Sequence, residues 1–364
     1  MRHTVFITGG TGMVGQDLLP KICFQEIVEK VIVLTHGNGA LPAHQKIEAV
    51  RGDVRLPDLG LQHDVKQAVV RTVTTIIHGA AETSFASELS AAQAVNVGGT
   101  ENIIRFAADC PLLQAFCHLS TVHVCGKRTG TIREADLEHN SGFVNAYEQS
   151  KYEAEQFVAS QAHRLPTTVV RLSTILGRSR DGAVTKSGAI HCALRFFFHS
   201  LAPMVPGTKE SLVDLIALDY AVESIALAAL HQFTPGSTWH VSGGSDAFSL
   251  EQFLEETLQL FYKNRPAWRK RAIEKPAIVN LETFYLFVKS VEELGESVLK
   301  NSVAVLKSFA PQLAYPKLIS DASTQLVMQR SGLARPAIRN FYPKVIRFLL
   351  ENNWETTPQD QARL

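Results

Sequence analysis

The stretch VFITGGTGMVG, residues 5–15, decides the fold of this chain. Its first three residues are apolar β-formers, glycines follow at Gly9, Gly12 and Gly15, and a helical pattern begins near residue 17. Glycines at this spacing permit a tight strand-to-helix turn and let the backbone approach a bound pyrophosphate without a Cβ in the way. The free N–H groups at the start of the helix favour the same anion. The stretch predicts a dinucleotide-binding turn, and an ordinary tight turn of an α/β protein is the alternative.

Further apolar, β-rich segments follow this turn and alternate with helical patterns. The predicted strands are residues 30–35, 47–50, 73–77, 114–119, 167–171 and 238–241. Strands that alternate with helices predict an α/β fold of the Rossmann type, a doubly wound parallel sheet with helices on both faces. We expect residues 1–177, with parts of 212–245, to form the dinucleotide-binding domain. Residues 178–211 and 246–364 are expected to form a smaller, mainly helical C-terminal region that binds the substrate.

Several local predictions accompany this outline. One helix is predicted from about Glu88 to Ala108, an apolar aromatic helix from Ser187 to Ala202, and a short strand from Leu212 to Ile216. Ser249 to Gln252 matches a capping box that opens a further helix. Apolar residues recur at helical spacing from Asn280 to Phe309, which predicts a helical tail.

The composition excludes several classes of protein. Of the 364 residues 45% are hydrophobic and 20% are charged, and the formal net charge is +1, as is typical of a soluble globular protein. No nucleic-acid partner is expected. No apolar run reaches membrane-spanning length, although peripheral contact with a membrane stays open. The five cysteines form no CxxC pair, which favours buried thiols in the cytoplasm over disulfides or a metal site. A monomer or a homodimer is expected.

The segment after the second strand bears on which dinucleotide binds. An acidic residue there would accept hydrogen bonds from the adenosine ribose and favour NAD. The chain instead continues with His36-Gly37-Asn38, in which His36 or Asn38 could donate to a 2′-phosphate. NADP is therefore favoured, and NAD stays possible. Asp53, after the third strand, could accept from the adenine amino group or simply cap a turn.

A second constellation follows the strand at 114–119. Tyr147 and Lys151 lie four residues apart at a predicted helix start, so they share one face. The Lys151 ammonium would lower the pKa of Tyr147 and bind the nicotinamide ribose, and Tyr147 would give its proton to a carbonyl oxygen. Thr121 would donate a second hydrogen bond to that oxygen, with Ser120 as the competing candidate. These residues predict an oxidoreductase that reduces a carbonyl group.

Three residues are candidates for the substrate side of this site. His123 could face the substrate, or it could be a hydrogen-bonded structural histidine. Phe197 belongs to the run Phe196–Phe198, which suits either the core or a substrate pocket. Phe85 is the third candidate.

At these motifs the chain resembles the extended short-chain dehydrogenase/reductase superfamily. More narrowly it resembles the male-sterility branch, which contains fatty acyl-CoA reductases and the terminal thioester reductases of peptide and polyketide synthases. The resemblance extends over about residues 1–245 and is carried by Phe6–Gly15, Gly52–Val54, Pro57–Leu61, Ile76–Ala81, Asn96–Thr100, His118–Gly126, Tyr147–Lys151 and Val170–Ile175.

The resemblance implies a role for each matching position. Thr121, Tyr147 and Lys151 would form the catalytic triad. The cofactor would contact Thr8, Gly9, Thr11, Gly12, Met13, Val14, Gly15, His36, Asp53, Val54, Ala80, Ala81, Tyr147, Lys151, Leu172, Thr174 and Ile175. Two positions depart from the branch, which usually has arginine at His36 and proline at Leu172. Sugar dehydratases of the superfamily have an Asp-Glu pair after the catalytic threonine, whereas this chain has Val122-His123, which argues against dehydration.

The first hypothesis for the function is therefore an NAD(P)H-dependent reductase of a lipophilic substrate. Its carbonyl would belong to an acyl thioester, bound to coenzyme A or to a carrier protein, and the product would be an aldehyde or an alcohol. A ketone or enone reductase, or a hydroxy-group dehydrogenase of secondary metabolism or of sterol type, is the alternative. A non-catalytic nucleotide-sensing protein is a more remote one.

Overall fold

A seven-stranded sheet forms the centre of the computed structural model, which describes residues 2–37, 39–266, 275–294 and 297–355. Asn38, a candidate for the 2′-phosphate, lies outside the described residues. The strands of this sheet, β1 to β7, are His3–Thr8, Val28–Thr35, Ile47–Arg51, Thr75–His78, Ala115–Thr121, Thr167–Leu172 and Thr238–Val241. They lie in the order β7-β6-β5-β4-β1-β2-β3 and are parallel throughout. This is the order of a doubly wound Rossmann sheet, as predicted.

Helices cover the sheet and form most of the C-terminal part. They are α1 Met13–Cys23, α2 His63–Val70, α3 Leu89–Asn96, α4 Gly98–Ala108, α5 Ala146–Ser160, α6 Ala189–Phe198, α7 Leu218–Ala226, α8 Leu250–Asn264, α9 Leu281–Leu294, α10 Ser297–Phe309, α11 Ala322–Arg330 and α12 Ile338–Glu351. Ser249 caps α8 by the predicted capping box. In the described part of the chain no helix combines the length and the apolar character that crossing a membrane requires.

The first strand shows why this sheet is buried on both faces. Val5 and Ile7 belong to the larger of the two hydrophobic clusters that flank the sheet, whereas Phe6, which points the other way, belongs to the other. The Phe6 ring stacks on Phe106 of α4 with centroids 4.9 Å apart. Because both faces are covered, the strands are continuous apolar runs rather than alternating ones, and this made them recognisable in the sequence.

The chain differs from three local predictions. The helix expected over 88–108 is two helices, since α3 ends at Asn96 and α4 begins at Gly98. Glycines favour such a break, and Gly99 also lets α4 approach Val54, whose Cγ2 would be 3.0 Å from a Cβ at this position. The strand expected at 212–216 is two short strands, which pair with different partners. The aromatic helix α6 is shorter than the expected range of 187–202.

Glycine spacing in the first turn gives a test of this fold. We expect Gly15→Ala to destabilise the protein, although alanine favours a helix over glycine. A Cβ at Gly15 would lie 2.2 Å from the carbonyl oxygen of Gly9, so the turn would have to open. Overpacking of this kind costs about 1–3 kcal/mol in the free energy of unfolding. Gly12→Ala is the matched control and should cost less, because its Cβ would lie 3.2 Å from the same carbonyl oxygen of Gly9. Equal urea denaturation curves for the two variants would contradict this account.

Candidate active site

The glycine-rich turn lies at the carboxyl end of β1, against the carboxyl end of β4. Gly9 has a φ of +77°, and a Cβ there would lie 2.5 Å from the carbonyl carbon of Gly79. Gly9 and Gly15 are therefore required by the turn itself. A Cβ at Gly12 would lie 3.2 Å from the carbonyl oxygen of Gly9, so the turn constrains this position less severely than it constrains Gly9 and Gly15.

The first turn of α1 fits an anion. Gly12 is its N-cap, no side chain caps the helix, and no acidic residue lies in its first turn. Backbone N–H groups at such a helix start need acceptors, and the helix dipole makes an anion the favoured one. The candidate residues Thr11, Met13 and Val14 line this start. The turn and the helix together therefore suit the pyrophosphate of a dinucleotide.

A buried hydrogen-bond chain leads away from this turn, and it begins at Thr8. The Thr8 hydroxyl oxygen accepts from the backbone N–H groups of Gly79, at 3.2 Å, and Ala80, at 3.1 Å. The Thr8 hydroxyl then donates its own hydrogen to His78 Nδ1, which lies 2.7 Å away. Because Nδ1 accepts, the ring hydrogen of His78 is on Nε2, and Nε2 donates to the Thr100 hydroxyl at 3.1 Å. Burial lowers the pKa of His78 to about 3, so the ring is neutral at physiological pH.

The chain continues to the helix that carries Tyr147. The Thr100 hydroxyl donates to the Asn96 carbonyl at 2.6 Å. Asn96 Nδ2 donates to the Ser150 hydroxyl at 2.9 Å and to the Glu82 carbonyl at 3.0 Å, and Ser150 donates to the Tyr147 carbonyl at 3.1 Å. The glycine-rich turn, the segment after β4 and α5 are thus held in one network. The sequence offered no signal for Thr100 or Ser150 in this role.

The structure brings Tyr147 and Thr121 together. Thr121 ends β5, Tyr147 lies in the first turn of α5, and their side chains are hydrogen-bonded. Ser120 points away, since its hydroxyl donates to Glu155 at 2.6 Å. Glu155 in turn forms a buried ion pair with Arg171, whose Nη2 lies 2.6 Å from Oε1. The geometry therefore favours Thr121 over Ser120 as the partner of Tyr147.

Burial, and not Lys151, dominates the pKa of Tyr147. It raises that pKa to about 12, while the hydrogen bond from Thr121 opposes the rise. The expectation that Lys151 lowers it is not met, because the Lys151 Nζ donates to the Leu119 carbonyl at 2.8 Å and lies 3.4 Å from His118 Nε2. Burial also lowers the pKa of Lys151 to about 8. Tyr147 is therefore protonated at neutral pH, as a proton donor must be.

At the ends of β2 and β3, where the adenosine is expected to bind, the structure adds a residue that sequence reasoning missed. His36 Nδ1 lies 3.4 Å from Asp53 Oδ2, and Arg55 Nη2 lies 2.6 Å from the same oxygen. The hydrogen bonds from Arg55 hold the pKa of Asp53 below its usual range. Both side chains are accessible, with 69% of His36 and 48% of Arg55 exposed. Val54, beside them, is buried.

Arg55 was missed because it comes from the neighbouring strand end. Strands β2 and β3 pair so that Thr35 lies opposite Arg51, which brings the segments after the two strands together. The signal that could have revealed it was an arginine two residues after Asp53. Arg55 places a guanidinium beside the loop after β2, which contains no arginine of its own.

The remaining cofactor candidates follow other strand ends of the same sheet. Ala80 and Ala81 follow β4, and Leu172 ends β6. Thr174 and Ile175 lie in a short strand, Thr174–Gly177, that pairs in parallel with Leu215–Ala217. In a doubly wound sheet the carboxyl ends of parallel strands form one edge, where ligands bind. The roles of these residues stay predictions.

Phe85 lies beside Tyr147 and His123 lies near Phe85, but Phe197 lies in the core. The Phe85 ring contacts Tyr147 edge-on with centroids 5.3 Å apart, and lies 6.5 Å from the His123 ring. On another side it lies 6.3 Å from Phe309, a residue of the tail that sequence reasoning missed. Phe197 is only 5% exposed within the larger hydrophobic cluster, so little of its ring is available to a substrate.

Known proteins are similar in sequence to part of this chain. The family model described as male sterility protein matches residues 38–225. The fatty acyl-CoA reductase wat of Drosophila melanogaster is 27% identical over 225 residues, 49% of this chain and 44% of that protein. An isonitrile lipopeptide synthase of Streptomyces coeruleorubidus is 30% identical over 253 residues, 64% of this chain and 17% of that protein. The chain spans less than half the length of both relatives.

The terminal R domain of the myxalamid PKS-NRPS biosynthetic pathway has a similar structure. It matches with a TM-score of 0.78 and 22% identity over 98% of this chain and 93% of that one, a likeness that shows the fold. The fold and the family together define a dinucleotide-dependent oxidoreductase. The chain belongs to the male sterility protein family, a group of NAD(P)-dependent reductases of the extended short-chain dehydrogenase/reductase type. The resemblance and the enzyme class predicted from the sequence are confirmed.

The buried Lys151 makes stability depend on pH. Its pKa is about 8 in the folded protein against 10.5 for an unburied lysine, so between these values the unfolded chain binds a proton that the folded one does not. The free energy of unfolding of the cofactor-free protein therefore rises with pH across this window, by about 3 kcal/mol. We expect Lys151→Met to lose this rise, and Lys289→Met, at a lysine that is 73% exposed, to keep it. Urea denaturation at a series of pH values from neutral upward measures this rise. If the free energy of unfolding depended on pH in the same way for Lys151→Met and the wild type, the assignment to Lys151 would be refuted.

Proposed function

We propose that this chain is an NADPH-dependent reductase of acyl thioesters with a lipophilic acyl chain, which yields an aldehyde or an alcohol. The observation that carries the proposal is the aromatic wall beside the proton donor, formed by Phe85 and Phe309 next to the Tyr147 ring. Aromatic rings at a reacting centre favour an apolar group next to the carbonyl. The names of the relatives, a fatty acyl-CoA reductase and a lipopeptide synthase, support the same substrate class.

The mechanism follows from the states of the side chains. Bound NADPH would supply the hydride. Tyr147, protonated because burial raises its pKa to about 12, would donate its proton to the carbonyl oxygen. Thr121, already hydrogen-bonded to Tyr147, would hold the same oxygen. A thioester reduced in this way becomes a hemithioacetal, and cleavage of its C–S bond releases the aldehyde and a thiol.

The choice of NADPH rests on charge. His36 and Arg55 meet at the Asp53 carboxylate, and both are exposed toward solvent. Arg55 neutralises a carboxylate that would otherwise repel a 2′-phosphate, and a guanidinium can itself bind phosphate through two hydrogen bonds. The pair would therefore replace the single arginine that related chains carry after β2.

We expect Tyr147→Phe to abolish NADPH consumption with a long-chain acyl-CoA. The dissociation constant for NADPH should stay within about twofold of the wild-type value, a change in binding free energy below about 0.5 kcal/mol. The matched control is Tyr152→Phe, which removes a hydroxyl on the same helix that donates to Glu138 at 3.2 Å. Stopped-flow absorbance and fluorescence titration measure the two quantities. Turnover by Tyr147→Phe at the wild-type rate would refute the mechanism. Consumption with ketones but not with thioesters would refute the substrate class.

We expect Arg55→Gln to weaken NADPH binding about tenfold, the equivalent of one charge-assisted hydrogen bond, and to leave NADH binding unchanged. The control is Arg105→Gln, which removes an exposed arginine paired with Glu101 on α4. Binding of 2′,5′-ADP and 5′-ADP, measured by calorimetry, isolates the 2′-phosphate. An equal loss for both nucleotides would contradict the assignment of Arg55 to that phosphate.

A further inference from the structure

The catalytic helix is held from the C-terminal part of the chain, at a residue next to Tyr147. Glu148 is 1% exposed, and its carboxylate accepts hydrogen bonds from three donors. The Val144 N–H lies 3.0 Å from Oε2, and Asn145 Nδ2 lies 3.3 Å from Oε1. The third donor is the side-chain amide of Gln312, which also contacts Oε1. A carboxylate surrounded by donors alone acts as a fixed acceptor, although burial raises the pKa of Glu148.

Gln312 also reaches the segment that follows Thr121. Its amide oxygen accepts from Lys317 Nζ at 3.0 Å, and the same ammonium donates to the carbonyl of Gly126. Gly126 ends the turn Val122–Cys125, which begins directly after Thr121. One glutamine thus connects the start of the helix that carries Tyr147 with the turn after Thr121.

We propose, on the basis of the proposed function, that Gln312 is a positioning residue that sets the distance between the Tyr147 and Thr121 hydroxyls. The amide orientation is fixed, because its nitrogen donates to Glu148 Oε1 and its oxygen accepts from Lys317 Nζ. Reacting groups must be placed to within a fraction of an ångström, and a displacement of about 1 Å can cost about 10²-fold in rate. A small change at Gln312 therefore changes the rate without contacting the substrate.

Other contacts anchor the same segment independently of Gln312. Asn145, the N-cap of α5, donates from Nδ2 to the Ser308 carbonyl at 3.0 Å. Residues Lys317–Ile319 form a parallel ladder with Gly130–Ile132. Since these contacts remain when the Gln312 side chain changes, the segment should stay docked in a variant. A loss of activity in a Gln312 variant that stays folded can therefore be attributed to positioning and not to a general loss of stability.

The first test compares Gln312→Leu with Gln149→Leu, each measured with the carbonyl substrate that the wild type reduces fastest. Gln149 is the matched control, since its amide also donates to a carboxylate on α5, that of Glu153 at 2.9 Å. We expect Gln312→Leu to lower kcat about 10–100-fold and to leave KM and the NADPH dissociation constant within about twofold. Gln149→Leu should match the wild type. A wild-type kcat for Gln312→Leu would overturn the proposal, and so would an equal loss in both variants.

The second test uses pH. Gln312→Glu places two carboxylates against each other, so kcat should fall most at high pH and recover as pH falls and the pair takes up one shared proton. Lys317, Lys127, His123, Cys125 and Arg128 also act electrostatically on this cluster, and the wild-type profile measured in parallel accounts for them. A Gln312→Glu profile parallel to the wild type would overturn the proposal.

Hydrogen exchange gives a third measure that does not need turnover. We expect the amides of residues 145–151 to exchange faster in Gln312→Leu than in Gln149→Leu or the wild type, with little change in the thermal unfolding midpoint. Unchanged exchange in these residues would overturn the positioning role. A wild type that reduces ketones but no thioester would refute the proposed substrate and leave all three measurements on Gln312 valid.

Discussion

The site depends on one close approach of backbone to backbone, between the turn after β1 and the segment after β4. Gly9 lies so near Gly79 that a side chain at Gly9 would separate the two strand ends. This approach brings the Thr8 hydroxyl within reach of the Gly79 and Ala80 N–H groups and of His78. The glycine is therefore needed first for the assembly of the polar network, and the space it leaves for a cofactor is a second effect of the same contact.

Burial is the main influence on the charges along the first turns of α5. Tyr147, Glu148 and Lys151 are all held largely away from water, and desolvation shifts the pKa of each toward its neutral form. Their remaining hydrogen bonds are to fixed partners, such as the Leu119 carbonyl for Lys151. A proton donor that is already dehydrated and oriented needs little reorganisation when a carbonyl oxygen arrives. The arrangement suits reduction, in which the tyrosine starts protonated.

Much of the fold could be predicted because its signals are local. The β-strands are continuous apolar runs, as buried parallel strands must be, and the glycines of the first turn and the Tyr147–Lys151 spacing lie within a few residues. Seven strands and their class of sheet followed from these patterns. The break between α3 and α4 was missed because it depends on how closely Gly99 approaches Val54, a contact between distant segments.

The parts of the site that were not predicted are those formed by residues distant in sequence. Arg55 reaches Asp53 and His36 through the pairing of two strands, and Phe309 reaches Phe85 through the docking of the tail. The predicted direction of the pKa shift of Tyr147 was wrong, because a motif shows which groups are near one another but not how far each is buried from water. Phe197 belongs to a run that suited either the core or a substrate pocket, and the structure places its ring in the core.

The connection between Glu148 and Gln312 joins residues 164 positions apart. During synthesis from the N-terminus, the nucleotide-binding strands and the catalytic helix leave the ribosome long before Gln312 exists, and domains of this size begin to fold as they emerge. Contacts of such high sequence separation are also the slowest to form, since a long loop must close first. A nascent chain would therefore acquire most of its Rossmann sheet early, and the proposed catalytic centre would be complete only after Gln312 has been synthesised.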